Sequence, residues 1–141
     1  MKYFLIGILL LFTNLAFGQN KMGYEMRTNG KSYLAIQHKG FELRHRTDLK
    51  ENRFTYRHNF KVDKHIVLSV PLHYKVEKEE PTVEPRLVYN FDKFKVWVQK
   101  EFNHIRWCNT AIAIDIPKGN VTYRIGWDDS NTFRFRTMIK L

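Results

Sequence analysis

Apolar and polar side chains alternate along most of this chain, the period of a strand whose two faces meet different surroundings. Phe54, Tyr56, His58 and Phe60 share one face, opposite Thr55, Arg57 and Asn59. Ile66, Leu68, Val70 and Leu72 repeat the pattern, as do Leu87, Tyr89 and Phe91, then Phe94, Val96, Val98 and Phe102. Ile112, Ile114 and Ile116 follow, and Val121, Tyr123, Ile125 and Trp127 come next. The last segment sets Phe133, Phe135, Ile139 and Leu141 against Arg134, Arg136 and Lys140. Tyr33, Ala35, Phe41 and Leu43 hold one parity through Gly40, which predicts a single long, bent strand from Ser32 to Arg46. That makes eight strands. No helical period competes with them.

The connections have a rhythm. Asp63-Lys64, Asn90 to Lys93 and Pro117 to Asn120 carry hairpin-turn chemistry. Thr47 to Asn52, Lys75 to Val83 and Asn103 to Asn109 are longer and more charged, and Asp128 to Asn131 is the short member of that set. Short and long links in alternation predict an all-β, eight-stranded antiparallel up-and-down barrel over 32–141, turns at one end and loops at the other.

The start of the chain reads differently. Met1-Lys2 is a short positive start, Tyr3 to Phe12 is almost wholly apolar, and Ala16-Phe17-Gly18 supplies small residues for cleavage before Gln19. This is a signal-peptide pattern over 1–18, too short for a span of about 20 residues. Residues 19–31 are left as a short N-terminal segment. The single cysteine, Cys108, excludes an internal disulfide.

The two faces differ in kind. The polar face carries Glu42, Arg44, Arg57, Glu84, Arg86, Lys95, Glu101, Asp115, Arg124, Arg134 and Arg136, with small residues Thr55, Ser69, Ala111, Ala113, Thr122 and Gly126. Arginine dominates its cations, while Lys50, Lys64, Lys75, Lys78 and Lys118 crowd the links. Planar guanidinium suits packed ion-pair networks, and lysine suits open water. Space converges inside a barrel, so small and charged residues are expected within and bulky apolar ones outside. An outward apolar wall of that size calls for lipid. Aromatics fall at both strand ends, Phe54, Tyr74, Phe102, Trp127 and Phe133 at the loops and Phe60, Phe91 and Phe94 at the turns.

In strand number, alternation and turn rhythm, about Ser32 to Leu141 resembles the small eight-stranded outer-membrane β-barrels, the class that includes the transmembrane domain of outer membrane protein A. Phe133, Phe135, Ile139 and Leu141 match its terminal alternation, with Leu141 where that class usually ends on an aromatic. The resemblance implies a Gram-negative outer membrane, lipid neighbours, passage through the barrel-assembly machinery and a side-chain-filled lumen without an open channel. The expected role is structural, adhesive or envelope-binding. A soluble lipocalin-like barrel around an apolar ligand is the alternative, and a lipid-modifying enzyme the second.

The net charge of +10 would suit nucleic acid, but export and the lack of any recognition motif exclude it as a partner. Ser130, His104 and Asp129 are the candidate catalytic trio on the loop side. Arg46, Lys50, Arg53 and Arg106 are candidate contacts to lipopolysaccharide phosphates. Six scattered histidines (38, 45, 58, 65, 73 and 104) form no metal-ligand spacing, and no cofactor is expected. The span Glu77 to Pro85 reads as an acidic, exposed loop suited to a partner.

Overall fold

The computed structural model describes residues 20–48, 51–103 and 105–141. The predicted signal peptide lies outside them. The strands are β1 (Asn20–Arg27), β2 (Ser32–His38), β3 (Phe41–Arg46), β4 (Asn52–Lys61), β5 (Ile66–Lys75), β6 (Glu80–Val83), β7 (Arg86–Asn90), β8 (Lys95–Asn103), β9 (Trp107–Lys118), β10 (Val121–Asp128) and β11 (Thr132–Lys140). A 3-10 turn, Val76–Lys78, precedes β6.

Every neighbouring pair is antiparallel, and β1 pairs with β11 from Lys21↔Lys140 to Arg27↔Arg134, so the sheet closes on itself. Closure gives each strand two partners and leaves no edge. The eleven segments fill ten positions around the ring. β6 and β7 both lie between β5 and β8, β6 against Leu72 to Lys75 and β7 against Ile66 to Ser69. They are halves of one stave interrupted at Pro85, which has no N–H to give. Glu84 N donates to Pro71 O at 2.9 Å and Lys100 N to Pro85 O at 3.1 Å, so the ladder resumes across the break.

The barrel is therefore ten-stranded, not eight. Two additions explain the difference. The segment read as a short leader is wall, because β1 supplies the closing strand. The predicted long strand from Ser32 to Arg46 is a hairpin, with Lys39 at φ 50° and His38 paired to Phe41. A two-residue turn reverses the parity of inward positions. Tyr33 and Ala35 point in, whereas Phe41 and Leu43, of the same parity, point out. Gly40 belongs to this turn because a Cβ there would lie 2.8 Å from Arg57 O.

Several predicted loops are also wall. Glu80–Val83, within the span read as an acidic loop, is β6, and Glu77 is tied down by Asn52, whose N and Nδ2 both donate to its carboxylate at 2.7 Å. β9 runs for 12 residues and β10 for 8, both longer than their apolar alternation alone marks. An extra residue, Asn109, bulges β9 opposite Lys100 and Glu101. All links at both ends are consequently short.

The alternation sorts side chains cleanly. Glu25, Glu42, Arg44, Arg86, Gln99, Asp128 and Arg136 are buried inside. Leu34, Phe54, Leu72, Leu87, Ile112, Ile125, Phe135 and Ile139 are exposed outside, on staves all around the ring. The barrel has its charges within and its apolar surface without.

The closing seam is the tightest point. A Cβ on Gly23 would lie 2.1 Å from Met138 Sδ and 2.5 Å from Thr137 O. Gly23→Val should destabilise the fold by about 1–3 kcal/mol, since the carbonyl belongs to backbone and cannot swing aside. The shift in denaturation midpoint of the refolded protein against the parent measures it.

Candidate functional site

The lumen is built in three levels. At mid-height a layer of ion pairs fills the bore. Arg44 Nη2 donates to Glu42 Oε1 at 2.9 Å, and Arg136 Nη2 donates to Glu42 Oε2 at 2.7 Å from three staves further around. Arg44 also approaches Glu25 at 3.5 Å, and Arg27 Nε donates to Glu25 at 2.8 Å. A second chain runs from Arg86 Nη2 to Gln99 Oε1 at 2.7 Å and from Gln99 Nε2 to Glu84 Oε2 at 3.0 Å. Glu84 meets His73 Nε2 at 3.0 Å, off the line of a straight hydrogen bond, and Thr55 Oγ1 lies 2.7 Å from His73 Nδ1. Within this layer the residual void is about 20 Å³, space for one water.

Above and below it the bore widens into two mouths. The loop-end mouth, about 190 Å³, is lined by Arg27, Lys31, Arg46, Arg53, Lys75, Lys78 and Arg134 against Glu51, Glu84 and Glu101. The turn-end mouth holds about 400 Å³ between Arg57, Lys61, Arg86, Lys95, Arg124 and Asp115, with Val67, Val88 and Trp97 as apolar wall. Outside the ring, a groove of about 490 Å³ crosses β3 to β6 between Phe41, Leu43, Phe54, Tyr56, Leu72, Tyr74 and Pro81.

The residues singled out from sequence fall at different levels of this plan. Glu42, Arg44, Glu84, Arg86 and Arg136 are in the packed layer and buried. Arg57, Asp115 and Arg124 face the turn-end mouth, where Arg124 binds Asp115 through two hydrogen bonds of 2.6 and 2.7 Å. Lys95 lies at the rim of that mouth and is exposed. Arg134 Nε donates to Asp128 at 2.9 Å at the other end, and Glu101 sits 3.7 Å from Lys75.

The phosphate candidates do not form one patch. Arg46 and Arg53 turn into the loop-end mouth, Arg46 held by Asp48 at 2.7 Å and Glu51 at 3.0 Å, while Arg106 is exposed in the link before β9. Lys50 and His104 lie outside the described residues. Of the catalytic trio, Asp129 accepts from Thr110 N at 2.8 Å and neighbours Ser130 in the β10–β11 turn, where both serve turn geometry. His58 points outward and packs on Phe60 at 4.5 Å. Among the described residues no three His, Cys, Asp or Glu side chains gather as a metal set.

Sequence reasoning missed Trp97, Glu25, His73, Gln99 and Asp128. Trp97 is buried inside, with Arg86 4.0 Å and Arg124 4.9 Å from its ring centroid and its Nε1 3.2 Å from Asp115. Bulk suggested an outward aromatic, but parity placed it: Val96 and Val98 face out, so Trp97 must face in. Thr55, His73 and Glu84 reproduce a hydroxyl–imidazole–carboxylate series, yet all three are buried, and the void beside His73 and Glu84 fits one water. That series braces β4, β5 and the broken stave together. No protein-family model, curated protein or solved structure matches the chain.

Removing the shared acceptor tests the layer. Glu42→Ala leaves Arg44 with Glu25 alone and Arg136 without its carboxylate. The cost should be about 3–5 kcal/mol, as for breaking a buried pair, whereas Glu42→Gln, which still accepts, should lose less. Equilibrium unfolding of the two variants beside the parent measures the difference.

Proposed function

We propose that this chain is a small outer-membrane β-barrel of a Gram-negative envelope, acting as a structural, envelope-binding wall element rather than as a conduit. The observation that carries the reading is the radial inversion: ion pairs inside, a predominantly apolar wall outside. In water such a wall would be a very large unsatisfied patch, and lipid removes that cost. The reverse demand, an apolar bore around an apolar ligand, would suit a soluble barrel, and the charged lumen is poorly made for it. β4, β5, β8, β9 and β11, of 9 to 12 residues, suit a tilted crossing, which takes about 9–11, while β2 and β3 are shorter at 7 and 6.

The ends agree with this reading. Phe102 packs on Trp107 at 5.1 Å at the loop end, and Phe91 stacks on Phe94 at 4.6 Å at the turn end. Aromatic belts at two levels are what interfacial anchoring favours. The ion-pair layer argues against bulk flow through the bore. Short links at both ends offer little reach for adhesion, which moves the weight of the reading from adhesive to structural. The outer groove across β3 to β6 would accept acyl chains.

Expressed with its whole N-terminal segment, the protein should sediment with the outer membrane and leave it only in detergent. Recovery in the soluble periplasm would overturn the proposal. A second measurement is energetic. Ile125, outward on β10 and paired with Ile114, lies well inside the wall. Ile125→Lys should cost about 2–4 kcal/mol for folding into lipid vesicles. A cost near zero would contradict a lipid-facing wall.

A further inference from the structure

The two mouths of the bore are not electrostatically alike. At the loop end, five of the seven lining cations have a carboxylate within reach, Lys31 and Lys78 being the others: Arg27 with Glu25 at 2.8 Å, Arg46 with Asp48 at 2.7 Å, Arg53 with Glu84 at 3.5 Å, Lys75 with Glu80 at 3.3 Å, and Arg134 with Asp128. At the turn end, Asp115 is the one lining acid, and Arg124 occupies both of its oxygens. Arg57, Lys61, Arg86 and Lys95 line the same cavity with no ion pair to any described residue. Arg86 hydrogen-bonds to the neutral Gln99 and lies over the face of Trp97, and Glu84 and Asp115 act on it only through space. Uncompensated cations drawn into one partly enclosed space repel one another and favour an anion between them.

Two buried polar atoms at this mouth are also unmatched. Arg57 Nε and Ser69 Oγ are shielded and make no hydrogen bond. The register brings them together: Ser69 stands opposite Asn59 on β4 and opposite Arg86 on β7, one inward step from Arg57. Donors on three adjacent staves thus converge on one side of a cavity of about 400 Å³, within the range of small-molecule sites. Val67 and Val88 supply a dry wall beside them.

We propose that the turn-end mouth binds a small phosphate-bearing anion with an apolar body, its phosphate held by Arg57, Ser69, Lys61 and Lys95 and its body against Val67 and Val88. Guanidinium and hydroxyl donors match phosphate oxygens in geometry, and the lysines add charge at the rim. The site depends on the bore alone, so it stands whether lipid or water surrounds the wall.

The test uses the refolded full chain in detergent at constant ionic strength, titrated calorimetrically with phenyl phosphate, inorganic phosphate and phenol. Saturable binding of phenyl phosphate, tighter than either of the others, is expected. Arg57→Gln should weaken it about tenfold or more, the worth of a charge-assisted hydrogen bond. The rim double variant Lys61→Gln/Lys95→Gln should do the same, and it carries the test should Arg57→Gln fail to fold. Lys31→Gln/Lys78→Gln, at the opposite mouth, should leave affinity unchanged. Binding no tighter than that of inorganic phosphate or phenol would overturn the proposal, as would equal loss from changes at the opposite mouth or no loss from the rim double variant.

Discussion

Glu42 accepts from Arg44 on its own strand and from Arg136 across the bore, and Arg44 reaches on to Glu25. A carboxylate and guanidinium groups taken out of water need one another's charge and hydrogen bonds to make their burial tolerable. That requirement governs the rest of the barrel. The charges must converge, so the staves carrying them must close into a ring. Closure in turn needs small residues where backbones crowd: Gly23 against Met138 at the seam, and Gly126 with Ala113 beside it. With the charges gathered inward, the outer face is free to be mainly apolar.

The same requirement divides the bore. Where acids and bases balance, the side chains lock into a layer with a void for about one water. Where they do not balance, at the turn end, side chains stand apart and a cavity opens. Pairing at the loop end and excess cation at the turn end give the lumen a direction along its axis.

Much of this was legible in the sequence. Alternation identified the strands after Asn52 except β6, the side that faces inward and the Arg-rich character of the lumen. It misjudged the strand count because a two-residue turn conserves no parity. Lys39-Gly40 carries Ala35 inward and Leu43 outward, so identical spacing read as continuity. β1 escaped notice because Met22, Gly23, Tyr24 and Glu25 give only a faint alternation, and its strand character comes from pairing with both β2 and β11. Trp97 and His73 were hidden by residue-type expectations, one by its bulk and one by its place among scattered histidines. The pairing of particular acids with particular bases depends on register between strands distant in sequence, which no local pattern encodes.

The central claim is that charge faces in and the apolar wall faces lipid. Its most direct measurement is tryptophan quenching by brominated lipid in proteoliposomes, with single-tryptophan variants retaining Trp97 or Trp127. Trp127 is outward at the end of β10 and Trp97 is buried in the bore. Strong quenching of Trp127 with Trp97 protected is the predicted result. Quenching of Trp97 by lipid, or of Trp127 only by aqueous iodide, would contradict it.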